Sequence, residues 1–310
     1  MYLSEGLLMA ESINPLVAFS DHAARLVELT ASSIVGVHGG RLSASGIHWR
    51  SGVIVTAEEV LNHDENIKIT LPDGRLVEAS LAGRDPSTDV AVLRFQPDRL
   101  TPAQTIDAAS LRPGNVVMAI GNWEGAPVAS LGIVAIAGGP WQSRRGGTID
   151  SLIHLDLMLS RAAEGGALVD AQGRVLGMVV LGPRRRVLAI PTLTIDRVVD
   201  QLLARGHVFR GYLGAGLQPV RRGRPAHDTQ PSSSGRGVLV VSIDPDGPAA
   251  RAGLLVGDIV MTWNAKPVDR VREVIQFLGA DSAGGSVDLG LIRGGTPLGV
   301  KVVIGERPVA

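Results

Sequence analysis

Between Ile34 and Val187 the apolar residues come in short β-type runs separated by Gly, Pro and Asp turns, and no other property of this 310-residue chain narrows its possible folds so far. Val53-Ile54-Val55, Ile67-Lys68-Ile69, Val90-Ala91-Val92-Leu93, Val116 to Ile120 and Val175 to Val180 are the clearest runs. Strands end where Gly, Pro, Asn or Asp lets the backbone reverse, and Pro72-Asp73-Gly74 and Asp170-Ala171-Gln172-Gly173 have that composition. Many short strands at this spacing predict a sandwich or barrel. The 39 glycines and 18 prolines suit a turn-rich β protein.

Helical spacing flanks this region. Ser20 is placed to cap a helix carrying Ala23, Leu26, Val27 and Thr30. Ile195, Val198, Val199, Leu202 and Leu203 form a second helical stripe, with Gly206 just past its last turn. A length of 310 residues suggests two domains, the second beginning near Arg210. Its polar stretch from Arg221 to Ser234 reads as a mobile loop. A strand Val238 to Ile243, a one-turn helix opened by Pro248 and stopped by Gly253, and a strand Ile259 to Trp263 follow. Asp269 is placed to cap a helix with Val271, Val274, Ile275 and Leu278 on one face, and two last strands flank Arg293-Gly294-Gly295.

Several functions are disfavoured at once. Thirty basic and thirty acidic residues leave no formal net charge, which argues against a general nucleic-acid binder. Four Trp, two Tyr and four Phe are too few for a base-stacking platform. With no cysteine, thiol catalysis, disulfides and Cys-based zinc sites are excluded. No apolar run is long enough to span a bilayer. The segment from Met1 to Phe19 lacks a basic start and carries Glu5 and Glu11, so it is a poor secretory signal.

Gly211-Tyr212-Leu213-Gly214, Gly237 to Val240, Gly247-Pro248-Ala249-Ala250-Arg251-Ala252-Gly253-Leu254 and Gly257-Asp258-Ile259-Val260 resemble the PDZ domain of HtrA/DegP-type serine proteases. Ile54-Val55-Thr56, the segment Gly83 to Leu93, Ala119-Ile120-Gly121-Asn122, Gly165-Gly166 and Ala189-Ile190-Pro191 resemble the same family's protease domain. The resemblance implies a mainly β fold: a chymotrypsin-like double β-barrel over residues 20–207 and a smaller α+β PDZ domain over 208–310, after an N-terminal segment 1–19. It also implies a homo-oligomer, a trimer, for which Tyr2 and Phe19 are the aromatic candidates near the N-terminus, and residence in the cell envelope.

The departures from the family pattern bear on function. Glu59 stands at the catalytic histidine position, Glu164 at the nucleophilic serine, and only Asp89 keeps its type. Acyl transfer by this mechanism needs a hydroxyl, an imidazole that takes and returns its proton, and a carboxylate that orients the imidazole. A carboxylate at 164 is a poor nucleophile towards an amide, and its acyl product would be an anhydride. Ala162 replaces a glycine whose backbone N–H must turn into the oxyanion hole. The expectation is a degenerate protease with no catalytic residues. A rewired triad from His63, Asp64 and Ser160 demands that both partners move together.

Glu59, Asp89 and Glu164 are expected to converge in one cleft, where like charges cannot all stay ionised without help. Arg161 and Arg184-Arg185-Arg186 offer an internal plug. The alternative is a divalent-cation site, because oxygen-only clusters suit Ca²⁺, Mg²⁺ or Mn²⁺; otherwise no cofactor is expected. The arginine triplet is either a solvated turn or an anion site. In the PDZ-like half, the resemblance implies that Tyr212, Leu213, Gly214 and Ala215 receive a peptide C-terminus, which rests on Val271, Val274, Ile275 and Leu278. Two function classes follow. One is an inactive adaptor, chaperone or regulator that binds protein C-termini or unfolded segments, with active relatives as possible partners. The other is an endopeptidase or metal-dependent hydrolase using the carboxylates.

Overall fold

The computed structural model of the chain describes residues 14–39, 43–96, 100–221, 236–279 and 282–306. The opening segment to residue 13, with Tyr2, and the polar stretch from 222 to 234 lie outside these residues, as do the last four.

Helix α1 spans Pro15–Ala31 and starts earlier than its apolar spacing suggests. Asn14 caps it, its side-chain oxygen accepting the Leu16 N–H at 3.0 Å, and Pro15 fits a first turn where its missing N–H costs nothing. Ser20 therefore sits inside the helix, and Leu26 and Thr30 are its buried residues.

Strands β1 (Ile34–His38), β2 (Ala44–Arg50), β3 (Val53–Thr56), β4 (Ile67–Thr70), β5 (Leu76–Asp85) and β6 (Val90–Phe95) close a barrel in the order β1-β2-β3-β6-β5-β4. Its strands fill the barrel with branched aliphatics: Ile34, Ile47, Ile54 and Ile69 are wholly buried. Strands β7 (Val116–Trp123) and β8 (Ala126–Gly138) open a second barrel. A small ribbon of β9 (Trp141–Gln142) and β10 (Thr148–Ile149) interrupts it before β11 (Leu152–Asp156), β12 (Ala167–Val169), β13 (Val175–Leu181) and β14 (Val187–Pro191). The second barrel closes in the order β11-β14-β13-β12-β7-β8 around Val134, Ile153, Leu168 and Val179. Both turns read from composition are hairpins, with Gly74 and Gly173 at positive φ. Helix α2 (Thr192–Arg205) follows and ends where Gly206, at φ +76°, returns its N–H to the Leu202 carbonyl.

The smaller α+β domain has β15 (Gly211–Tyr212), β16 (Ala215–Arg221), β17 (Arg236–Ile243), the one-turn α3 (Pro248–Arg251), β18 (Ile259–Trp263), β19 (Lys266–Pro267), α4 (Val271–Phe277), β20 (Ser286–Arg293), β21 (Thr296–Val303) and β22 (Gly305–Glu306). Its sheet runs β16-β17-β18-β20-β21, so β16 is an edge strand, and α4 packs near it. The α4 entry differs from expectation: Arg270 is the cap position, and the Glu273 carboxylate reaches back to accept the N–H groups of Asp269 (2.7 Å) and Arg270 (3.1 Å).

By its contacts the chain divides into two compact units, Met1–Ser80 with Arg94–Ala137 and Ile153–Thr192, and Leu81–Leu93 with Gly138–Leu152 and Leu193–Ala310. Within the second, Arg210 ties three segments together. Its guanidinium pairs with Asp85 at 2.7 Å and donates to the Arg145 carbonyl at 2.8 Å. Asp85 is buried and also accepts from the Ser87 N–H and from the hydroxyls of Ser87 and Thr88.

Candidate functional site

The site is built from two short 3-10 turns of the first unit. After β3, residues Glu58–Val60 turn once, closed by the Leu61 N–H on the Glu58 carbonyl, which buries Glu58 and leaves Glu59 exposed. The second turn, Arg161–Ala163, leads into Glu164 and the glycine pair before β12. Gly165 has φ +79°, and a Cβ there would strike the Ser45 carbonyl and come within 2.7 Å of the Thr56 hydroxyl. Only glycine fits that bend.

Ser45 locks this turn. Its hydroxyl donates to the Ala162 carbonyl and accepts the Asn122 N–H at 2.8 Å. Its own N–H donates to the Glu164 carbonyl at 2.8 Å, and its carbonyl accepts the Thr56 hydroxyl at 2.7 Å. Ser45 does not stand out in the sequence, because a hydroxyl bonded to remote backbone carries no local pattern.

Glu59 and Glu164 line one cleft of about 190 Å³, together with Ser43, Asn62 and Arg161. Burial pushes the Glu164 carboxyl above its ordinary value. The Leu181 N–H, donating to Glu164 Oε1 at 3.3 Å, opposes this, as do the positive charges of Arg161 and Arg185, while Glu59 adds to it. Arg185 and Arg184 both hold φ near +58°, a left-handed conformation that costs non-glycine residues about 1 kcal/mol or more each. Arg186 lies elsewhere in effect, holding down the proton affinity of His154 after burial has done so.

The third carboxylate of the expected cluster, Asp89, falls in the second unit, in a tight turn at φ +58°. Among the described residues no group of three or more His, Cys, Asp or Glu is placed to hold a metal ion. The rewired pair is not brought together by the hydrogen bonds seen: His63 Nδ1 bonds to the Glu65 carbonyl at 2.6 Å, and the Ser160 carbonyl accepts the Ala163 N–H.

An oxyanion hole requires backbone N–H groups aimed at the reacting atom. In this cleft the Glu164 N–H donates to the Arg161 carbonyl at 3.1 Å, so it is spent inside the 3-10 turn. Ala162 keeps a negative φ within it.

In the smaller domain the groove residues separate by burial. Leu213 and Val274 are core residues, 2% and 0% exposed, so their side chains cannot line a groove. Of the α4 stripe, Val274 is the member that belongs to the core, as helical spacing requires of some. Ala215, Val271 and Leu278 lie partly buried at the core's edge, and Ile275 is 40% exposed. The loop before β16 is fixed by Gly214 at φ +73°, by the Gly214 and Leu213 carbonyls accepting from Asp244 and Ala249, and by the Tyr212 hydroxyl on Asp244.

Residues 44–178 match the family model of the trypsin-like peptidase domain, and residues 211–304 that of the PDZ domain. A relative from Bartonella henselae described as "Probable periplasmic serine endoprotease DegP-like" is 33% identical over 266 residues, covering 83% of this chain and 52% of the relative. The serine endoprotease DegS of Haemophilus influenzae is 29% identical over 279 residues, 86% of this chain and 78% of that one. Among solved structures, the serine endoprotease from Yersinia pestis superposes with a TM-score of 0.71 at 29% identity, covering 92% of this chain and 98% of that chain. The chain spans about half the length of the first of these relatives. Among the described residues no helix is long and apolar enough to cross a membrane.

Proposed function

The chain carries the trypsin-like peptidase domain and the PDZ domain of the HtrA/DegP family, and from that premise we propose that its peptidase-type domain does not cleave and that it works by capturing peptides through the PDZ domain. The observation that carries the first half is the cleft itself. It presents a carboxylate, Glu164, at the position that the sequence resemblance gives to the family's hydroxyl, a second carboxylate at Glu59, and a Glu164 N–H already bonded to Arg161. None of these groups supplies the imidazole base or the anion-stabilising donors that acyl transfer needs. The reading requires no metal or cofactor.

For the second half, the support is the β16 edge beside α4. An extended peptide would pair with β16, set its terminal carboxylate at the Tyr212–Gly214 loop and rest an apolar last side chain on Ala215, Val271, Ile275 and Leu278. Partners of this kind are protein C-termini and unfolded segments, met in the cell envelope by an adaptor, chaperone or regulator that self-assembles or joins active relatives.

The test is cleavage of casein by the purified chain beside its Glu164→Ala variant, with binding of a free-C-terminus apolar peptide followed in parallel. No cleavage by either, with peptide bound, is expected. Cleavage by the natural chain that disappears in the variant would overturn the reading and make Glu164 a catalytic carboxylate.

A further inference from the structure

The edge of β13 facing β12 has a regular alternation. Val179 uses both of its backbone groups there, its carbonyl accepting the Gly165 N–H and its N–H donating to the Gly166 carbonyl, each at 2.9 Å. Val180 and Leu188 face each other across the β14 ladder. Because backbone groups alternate sides along a strand, Leu181 again points its N–H to the β12 side. No main-chain partner stands opposite in β12, whose pairing with β13 ends at Ala167 and Met178. The acceptor is instead the side chain of Glu164, at 3.3 Å.

We infer that Glu164 is an autoinhibitory cap: its carboxylate occupies the strand-edge donor at which an extended polypeptide would add to β13, and so keeps the cleft closed to chains it could otherwise hold. This rests on reading the cleft as a peptidase-type cleft that does not cleave. An unpaired edge N–H is a template for another strand, and filling it with a side chain is a way of blunting it. The cap is held by charge as well as geometry. Arg161, on the turn before it, and Arg185, on the turn after β13, attract the carboxylate; Glu59, on the turn after β3, repels it. Loss of the charge therefore loosens the cap, since a hydrogen bond to an ionised acceptor is the stronger kind. Acidification through the raised Glu164 value does this, and so does an amide at the same position.

The experiment uses the full chain and a fluorescent, extended apolar peptide with an amidated C-terminus, which denies the PDZ loop its carboxylate. Binding is followed by anisotropy at pH 7.5 and pH 5, for the natural chain, Glu164→Ala and Glu164→Gln. Each protein's thermal unfolding is recorded as a check on folding, and the peptide's integrity by mass. We expect weak binding by the natural chain at pH 7.5, a gain of about tenfold or more in Glu164→Ala, and an intermediate gain in Glu164→Gln that does not change with pH. On going from pH 7.5 to pH 5 the binding of the natural chain should tighten, in the direction of the Gln variant. Hydrogen exchange at the Leu181 amide should quicken in Glu164→Ala. If the folded Ala and Gln variants bind no tighter than the natural chain, the inference is overturned; should Ala not fold, the Gln variant decides alone. Cut peptide would instead sink the non-cleaving reading and leave the affinities to judge the cap.

Discussion

Two strands, β13 beyond the end of its pairing with β12 and β16 at the border of its sheet, present main-chain groups to an extended chain, and the molecule treats them oppositely. At β13 the next free donor is taken by the Glu164 carboxylate. At β16 the strand is the outermost of its sheet, and the loop before it is braced through its carbonyls, by Asp244 and Ala249, rather than covered by a side chain. The difference teaches that a strand edge is not a binding site by virtue of being an edge. What matters is whether a nearby side chain can reach the donor, and Glu164 reaches because Gly165 bends the chain back beneath it.

The harshest way to break the comparison is to remove that bend. Gly165→Ala forces a Cβ against the Ser45 carbonyl at a positive φ, and the obstructing atoms are backbone that cannot rotate away. We expect a loss of about 3 kcal/mol or more in urea unfolding, with the cleft-side turn disordered. A shift under 1 kcal/mol would mean the bend is not needed.

On the other side, the PDZ domain depends on Asp258, whose carboxylate is 1% exposed and holds Arg293 at 2.7 and 2.8 Å and the Leu255 N–H at 2.8 Å. Asp258→Asn should cost about 2–3 kcal/mol in urea unfolding, less than a fully buried pair because the Arg293 side chain remains 35% exposed and can rehydrate. The Arg293 guanidinium lowers the Asp258 carboxyl below its usual range. Its contribution is thus complete above the unfolded value near 4 and fades as pH falls through the folded one. The variant should lack that acid-side loss; an unchanged curve would remove Asp258 from the account.

A smaller effect sharpens the contrast in binding. Ile275→Asp puts a charge on the exposed face of α4 and should weaken a free-C-terminus apolar peptide about tenfold by calorimetry. The amidated peptide should be indifferent to it. Equal losses for both would place the two binding modes in one site.

The mildest test is the stability of the cleft against pH. With its carboxyl raised by burial, Glu164 contributes stability that is full below the ordinary Glu range and is lost as pH rises through the raised value. Glu164→Gln should flatten that slope in thermal unfolding, and a retained slope would assign it to another group.

Much of this was legible in the residues. Strand runs and Gly or Asp turns marked both barrels, since turn chemistry is local. The meeting of Glu59 with Glu164, and the help Glu164 draws from Arg161 and Arg185, followed from placing the segments on a fold. What escaped was whatever depends on backbone groups or distant partners. The Leu181 N–H has no side-chain signature at all. Ser45 looks like any strand serine until its bonds to Asn122 and Ala162 are seen. Val274 shares the spacing of Val271, Ile275 and Leu278 but faces the core, because one helical stripe serves both purposes, and Leu213 in the loop before β16 is buried as well. Asn14 lost to Ser20 as a cap because the residues before Phe19 show no periodic face, although Asn-Pro is itself a start signal.

The hold of Arg210 on Asp85 and Arg145 has a practical side. Sequence order invites a cut near residue 208 to obtain the C-terminal module for study by itself. Such a fragment would keep the arginine and leave behind both of its acceptors, along with residues 81–93 and 138–152 that complete its compact unit. The module defined by homology and the body that folds together are different pieces of this chain, and an isolated PDZ segment would be measured with part of its own foundation missing.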